Sequence, residues 1–109
     1  MRTLVRTEEF DAFYASLDDK VQQKVDYVLN VLSTLKVVNT KLAKKLQRSD
    51  FYELRISTGN EYRVIMFTID SESLVEATQV LLLNGFMKKS SKDYRKETEK
   101  ATRILAKYL

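Results

Sequence analysis

The chain has 109 residues, 44% of them apolar and 31% charged, a balance that suits one globular domain with its own core and argues against disorder. It has no cysteine and no histidine, which excludes disulfides, thiolate chemistry, the usual general base near neutral pH and the commonest zinc ligand. The net charge of +4 is placed unevenly. Residues 1–40 carry −1, residues 41–48 +4, residues 49–87 −4 and residues 88–109 +5.

Residues 2–6 alternate around Leu4 and read as a short strand. Thr7 is a helix N-cap, with Glu8, Glu9 and Asp11 favourable in the first turn, and a short helix follows to about Ser16. Asp18 caps a second helix. Val21, Val25, Val28, Leu29, Leu32 and Leu35 recur at helical spacing, so that helix runs about five turns, to near Lys36, and buries one stripe. In residues 39–50, Leu42 and Leu46 lie four apart, which predicts a helical turn with Lys41, Lys44, Lys45 and Arg48 facing outward.

Three strands come next. The first is Phe51 to Ser57, turned by Thr58-Gly59-Asn60 into Glu61 to Ile69, which is apolar on both faces after Arg63 and therefore central. The third strengthens through Val80 to Leu83 and ends or bends at Asn84-Gly85. A last helix covers about Asp93 to Tyr108, with Thr98, Ala101, Ile104, Leu105 and Tyr108 inward. The order β-α-α-β-β-β-α predicts a single α+β domain over 1–109, with a small, mostly antiparallel sheet and the helices on one side. The N-terminus lacks the apolar run of a signal peptide and no segment is long and apolar enough to span a bilayer, so a cytoplasmic protein with no membrane partner is expected.

The two cationic segments flank the β-rich stretch and fit a surface facing a polyanion, although solvated lysine-rich helices give the same signal. Within the stretch, the hairpin returns Arg63 close to Arg55, and alternation allows both onto one face. Two guanidiniums on a rigid sheet suit bidentate binding of a phosphate, or else pair with Glu53 or Glu61. Lys88 and Lys89 follow the strongest apolar run, where a lysine serves as phosphate ligand, proton-transfer group or charged guard on a sheet edge. Phe86 is either a stacking surface for a base or core, and Tyr94 either a proton-transfer group or helix packing. No carboxylate cluster resembles a metal site and no phosphate loop is present, so no cofactor is expected. An enzyme built from these residues works by arginine and lysine electrostatics. RNA cleavage fits, because the substrate's own 2′-OH is the nucleophile.

Leu54-Arg55, Tyr62-Arg63-Val64 and Asn84-Gly85-Phe86-Met87-Lys88-Lys89, followed by a Lys/Glu-rich helix, resemble the RelE/ParE toxin superfamily, in particular its phage-derived, HigB-like branch. The resemblance implies the toxin of a type II toxin–antitoxin system: an mRNA interferase acting on the ribosome, neutralised by a cognate antitoxin of helix-turn-helix type and reaching operator DNA only through it. Superfamily relatives that inhibit gyrase, or that act only in complex formation, are the alternatives. Carried over by position, Arg55, Arg63, Lys88, Lys89 and Tyr94 form the catalytic set. Lys41, Lys44, Lys45, Arg48, Phe86 and Lys92 form the RNA-binding set. Two departures stand out. Phe51 and Glu53 occupy strand positions where RelE-like enzymes often have lysines, and Tyr94 stands where a proline is common in this branch.

Overall fold

The computed structural model describes residues 1–109. In chain order the elements are β1 (Thr3–Arg6), α1 (Glu8–Ala15), α2 (Asp19–Thr34), β2 (Ala43–Lys45), β3 (Phe51–Ser57), β4 (Glu61–Thr68), β5 (Gln79–Met87) and α3 (Asp93–Tyr108). The strands form one sheet in the order β1-β5-β4-β3-β2, antiparallel except where β1 runs parallel to β5. The α+β class and the mostly antiparallel sheet are as expected, and β4 is central.

Local chemistry sets the helix starts. The Thr7 hydroxyl accepts from the Phe10 N–H at 3.0 Å, and the Asp18 carboxylate from the Val21 N–H at 3.0 Å. The end of α2 is closed by a residue far away in sequence. Arg2 is buried and donates to the Leu32 carbonyl at 2.8 Å and to the carbonyls of Leu35 and Lys36, satisfying acceptors that a helix terminus leaves open.

Three expectations are corrected. The first concerns residues 41–48, which do not make a helical turn. Ala43–Lys45 form an edge strand paired with β3, Lys44 opposite Glu53 and Lys45 opposite Tyr52. The i,i+4 pair of leucines arises because Leu42 packs on one side of the sheet and Leu46 on the other. The second concerns the helices, which do not share one side. Leu54, Ile56, Tyr62, Val64, Met66, Val80 and Leu82 pack with α1 and α2. The alternate positions Phe51, Ile65, Leu81 and Leu83 pack with Ala101 and Ile104 of α3. The third concerns Leu35, which caps α2 from the exposed side at 52% exposure instead of extending its buried stripe.

Beyond Gly59, whose φ of 95° makes the β3–β4 turn, the second glycine has a different reason to be there. β5 does not end at Gly85. The β4–β5 register shifts between Val64 and Met66, and the strand continues to Met87. A Cβ on Gly85 would lie 2.3–2.5 Å from the Phe13 ring, so the glycine admits the close approach of α1. No helix is long and apolar enough to cross a membrane.

Candidate functional site

The face of the sheet turned towards α3 carries the charged residues. On β3 it holds Phe51, Glu53 and Arg55, and on β4 Arg63, Ile65 and Phe67, with Arg55 directly opposite Arg63 in the ladder. Between β2, the loop after it, β3 and the N-terminal half of α3 lies a cleft of about 570 Å³. Six cations line it, Lys44, Lys45, Arg48, Arg55, Lys88 and Arg95, against two carboxylates, Glu53 and Glu99. Arg48 is the one non-glycine residue with positive φ, at 58°, a conformation that costs about 1 kcal/mol for a residue with a Cβ. The tight β2–β3 connection holds it there and turns its side chain to the rim.

Glu53 sits under the floor of this cleft, 3% exposed. One oxygen, Oε1, accepts from Arg55 Nε at 2.8 Å. The other, Oε2, lies 3.8 Å from Arg63 Nε and has no hydrogen-bond partner. Arg63 is itself buried and is engaged through Nε and Nη1. Its Nε donates to the Tyr94 hydroxyl at 3.0 Å, and its Nη1 donates to Glu61 Oε1 at 3.2 Å and to the Tyr62 carbonyl at 3.0 Å. Burial pulls the Arg63 pKa down, but the bonds to Tyr94 and Glu61 and the charge of Glu53 carry it above the ordinary value, so it is permanently cationic. Burial raises the Tyr94 pKa and Glu53 raises it further, against the opposing pull of Arg63.

Tyr94 is the centre of a second set of contacts. Its ring meets Phe86 edge-on at 5.7 Å, and Lys88 Nζ stands 5.4 Å over its face. The backbone fixes this arrangement. The Lys88 N–H bonds to the Glu61 carbonyl at 2.7 Å, prolonging the β4–β5 ladder past Met87. Asp93 accepts from the N–H groups of Lys89 and Ser90 at 2.8 and 3.0 Å, and buried Asn84 donates to the backbone and side chain of Glu97 at 3.0 Å. The first turn of α3 is thereby tied to the end of β5.

Of the eleven residues singled out in the sequence, Arg55, Lys88, Tyr94, Lys44, Lys45 and Arg48 line the cleft. Arg63 lies beneath it, and Phe86 supports it through Tyr94. Lys41, Lys89 and Lys92 are exposed but not part of its lining. Sequence reasoning missed the α3 wall, Arg95, Thr98, Glu99 and Thr102. Their spacing of i, i+3, i+4, i+7 marks one helix face, polar and short, next to the buried stripe. Thr98 was assigned to the core stripe and instead borders the cleft.

Residues 12–106 match the model of the family described as "Phage derived protein Gp49-like (DUF891)". The chain belongs to the phage-derived Gp49-like family. Its fold is that of RelE toxins. A mutant of the Escherichia coli toxin RelE in the free state superposes with a TM-score of 0.62 at 17% identity, covering 94% of this chain and 95% of that one. RelE in the intact E. coli RelBE toxin–antitoxin complex gives 0.59 at 17% identity, covering 83% of this chain and 100% of that one. The RelB–RelE antitoxin–toxin complex from Methanococcus jannaschii gives 0.56 at 17% identity, covering 83% and 96%. Comparison with curated proteins by sequence finds no match.

Proposed function

We propose that this Gp49-like protein is the toxin of a type II toxin–antitoxin system and that it cleaves mRNA on the ribosome. The observation that carries the reading is the cleft, where six cations outnumber two carboxylates around a rigid sheet floor, within a fold shared with RelE. Arg55 is the best placed phosphate ligand. Its Nε is held by Glu53, its side chain is 32% exposed, and its remaining N–H groups face the cleft. Lys88 and Lys44 supply further positive charge from opposite sides. Lys89, Lys92 and Lys41 extend the basic surface outside the cleft and act on the RNA backbone only at longer range.

The reaction needs little from the protein. The RNA 2′-oxygen attacks the adjacent phosphorus, the bond to the 5′-oxygen breaks, one proton leaves the 2′-OH and one reaches the 5′-oxygen. The products are a 2′,3′-cyclic phosphate and a 5′-OH end. Arg55 and Lys88 stabilise the charge that gathers on the phosphorane, and Tyr94 is placed to exchange a proton with a reacting oxygen. RelE crystallised with RelB supplies the analogy for a partner. A cognate antitoxin of helix-turn-helix type neutralises this chain and carries it to operator DNA.

Expression of the chain without its antitoxin, with mRNA 5′ ends mapped during the growth arrest, tests the reading. New ends within coding sequence, bearing 5′-OH, are expected. Arrest with intact mRNA and cleaved-complex DNA damage would instead indicate a gyrase-directed inhibitor. No arrest at all would leave complex formation as the function.

A further inference from the structure

Glu53 is the least expected residue in the cleft: a carboxylate under the floor of a cationic site, where it weakens the attraction of the site for phosphate. Its two oxygens are treated differently. Oε1 is satisfied by Arg55, whereas Oε2 is buried with no hydrogen-bond partner. A buried carboxylate oxygen without a hydrogen bond is costly, so the atom calls for a donor that is close at hand.

Tyr94 supplies one. Its oxygen already accepts the Nε–H of Arg63 at 3.0 Å, so its own O–H must point to a different acceptor. The same Nε lies 3.8 Å from Glu53 Oε2. A donor that needs an acceptor and an acceptor that needs a donor thus flank a single guanidinium nitrogen. A hydrogen bond between the two would satisfy both.

We infer that Glu53 is a positioning residue that holds the Tyr94 hydroxyl proton in place between Arg63 and its own Oε2, so that Tyr94 enters the cleft as a neutral phenol. The charged groups that face Tyr94 come from three elements: Glu53 from β3, Arg63 from β4 and Lys88 from the segment after β5. Arg63 and Lys88 favour the phenolate, whereas burial and Glu53 oppose them. Glu53 thus reinforces the neutral phenol and orients its proton, as a donor to the departing 5′-oxygen requires. That consequence rests on the proposed RNA cleavage. The positioning itself does not.

The experiment titrates Tyr94 directly. Tyrosinate absorbance is recorded against pH for the full chain, with the Tyr94→Phe variant subtracted to isolate this residue from the other five tyrosines. Glu53→Gln removes the charge and keeps the shape, and Glu53→Asp keeps the charge. Circular dichroism across the same range confirms that each variant is folded.

In Glu53→Gln the Tyr94 transition is expected to move about one pH unit lower, and in Glu53→Asp it stays closer to the parent. Where cleavage is measurable, Glu53→Gln lowers kcat with little change in KM and shifts the alkaline limb in the same direction. An unmoved Tyr94 transition in folded Glu53→Gln overturns the inference whether or not RNA is cleaved. A shifted transition with no cleavage by the parent chain upholds the positioning and counts against the nuclease reading instead.

Discussion

At the scale of single residues, the two strand arginines divide the work that the sequence assigned to both. They face each other across the β3–β4 ladder, and each is paired with a carboxylate. The ion-pair reading holds for both, and the two differ in what remains free for a ligand. Arg55 is half-buried, meets one carboxylate and lines the cleft, so it can turn its free N–H groups to a ligand at small cost. Arg63 is 5% exposed and gives its protons to Tyr94, Glu61 and Tyr62. Arg55→Ala leaves the buried Glu53 Oε1 without its donor and is expected to cost about 1–2 kcal/mol while reducing RNA cleavage at least tenfold. Arg63→Ala strips a buried network of its centre and is expected to cost about 2–4 kcal/mol. Urea denaturation of both variants checks this. Equal losses of stability would place the two arginines in one structural role. It follows that loss of toxicity in Arg63→Ala says little about chemistry, and Arg55→Ala is the cleaner probe.

At the scale of elements, signals confined to a few residues were legible and those that depend on distant partners were not. The Thr7 and Asp18 caps, the buried stripe of α2, the Gly59 turn and both ends of α3 follow from neighbours within a turn or two. β2 does not. Ala43-Lys44-Lys45 has no strand propensity of its own and is extended because β3 offers it an open edge. The two-sided packing of the helices was written in the alternation of β3 to β5, but α3 is so polar that its contact reduces chiefly to Ala101 and Ile104. Gly85 shows the same limit. Beside an asparagine it suggests a turn, whereas what requires it is the Phe13 ring of α1, 72 residues earlier. Gly85→Ala is expected to destabilise the fold by about 1–3 kcal/mol through overpacking. In a Phe13→Leu background the same substitution should cost clearly less, because the ring that it strikes is gone. Simple additivity in a double-mutant cycle of urea midpoints would show that the contact is not what excludes a side chain there. Gly85 lies on β5 three residues before Lys88, so Gly85→Ala also reports on how α1 supports the cleft from the opposite face of the sheet.

The whole molecule combines a cationic cleft with several carboxylates held by specific donors, and this sets how it responds to pH. Asp70 is held below the usual range by the Thr78 hydroxyl and the Gln79 N–H, and Asp93 by the N–H groups of Lys89 and Ser90. Glu61 is lowered by the Ser57 hydroxyl and then by Arg63, and Glu9 by Lys107, which joins the end of α3 to α1. In each case the folded protein binds the proton less readily than the unfolded chain does. Their contribution is therefore complete above the ordinary carboxylate pKa of about 4 and is lost as pH falls through the lower folded values. At the other extreme, Tyr94 is raised by burial and Glu53, and Tyr14 by its bond to Asp26. Unfolded phenols ionise first, so stability declines as pH rises past about 10. Between these limits the chain has no histidine or cysteine to titrate. The urea midpoint is accordingly expected to be flat from about pH 5.5 to 9 and to fall on the acid side, with a shallower fall in Asp70→Asn. A step near neutral pH, or an acid limb unchanged by that substitution, would mean that some group other than these capped carboxylates governs the linkage. The plateau also separates stability from function. Any loss of cleavage between pH 6 and 9 then belongs to the chemistry of the cleft, where Tyr94, Lys88 and Arg55 are proposed to act, and not to unfolding.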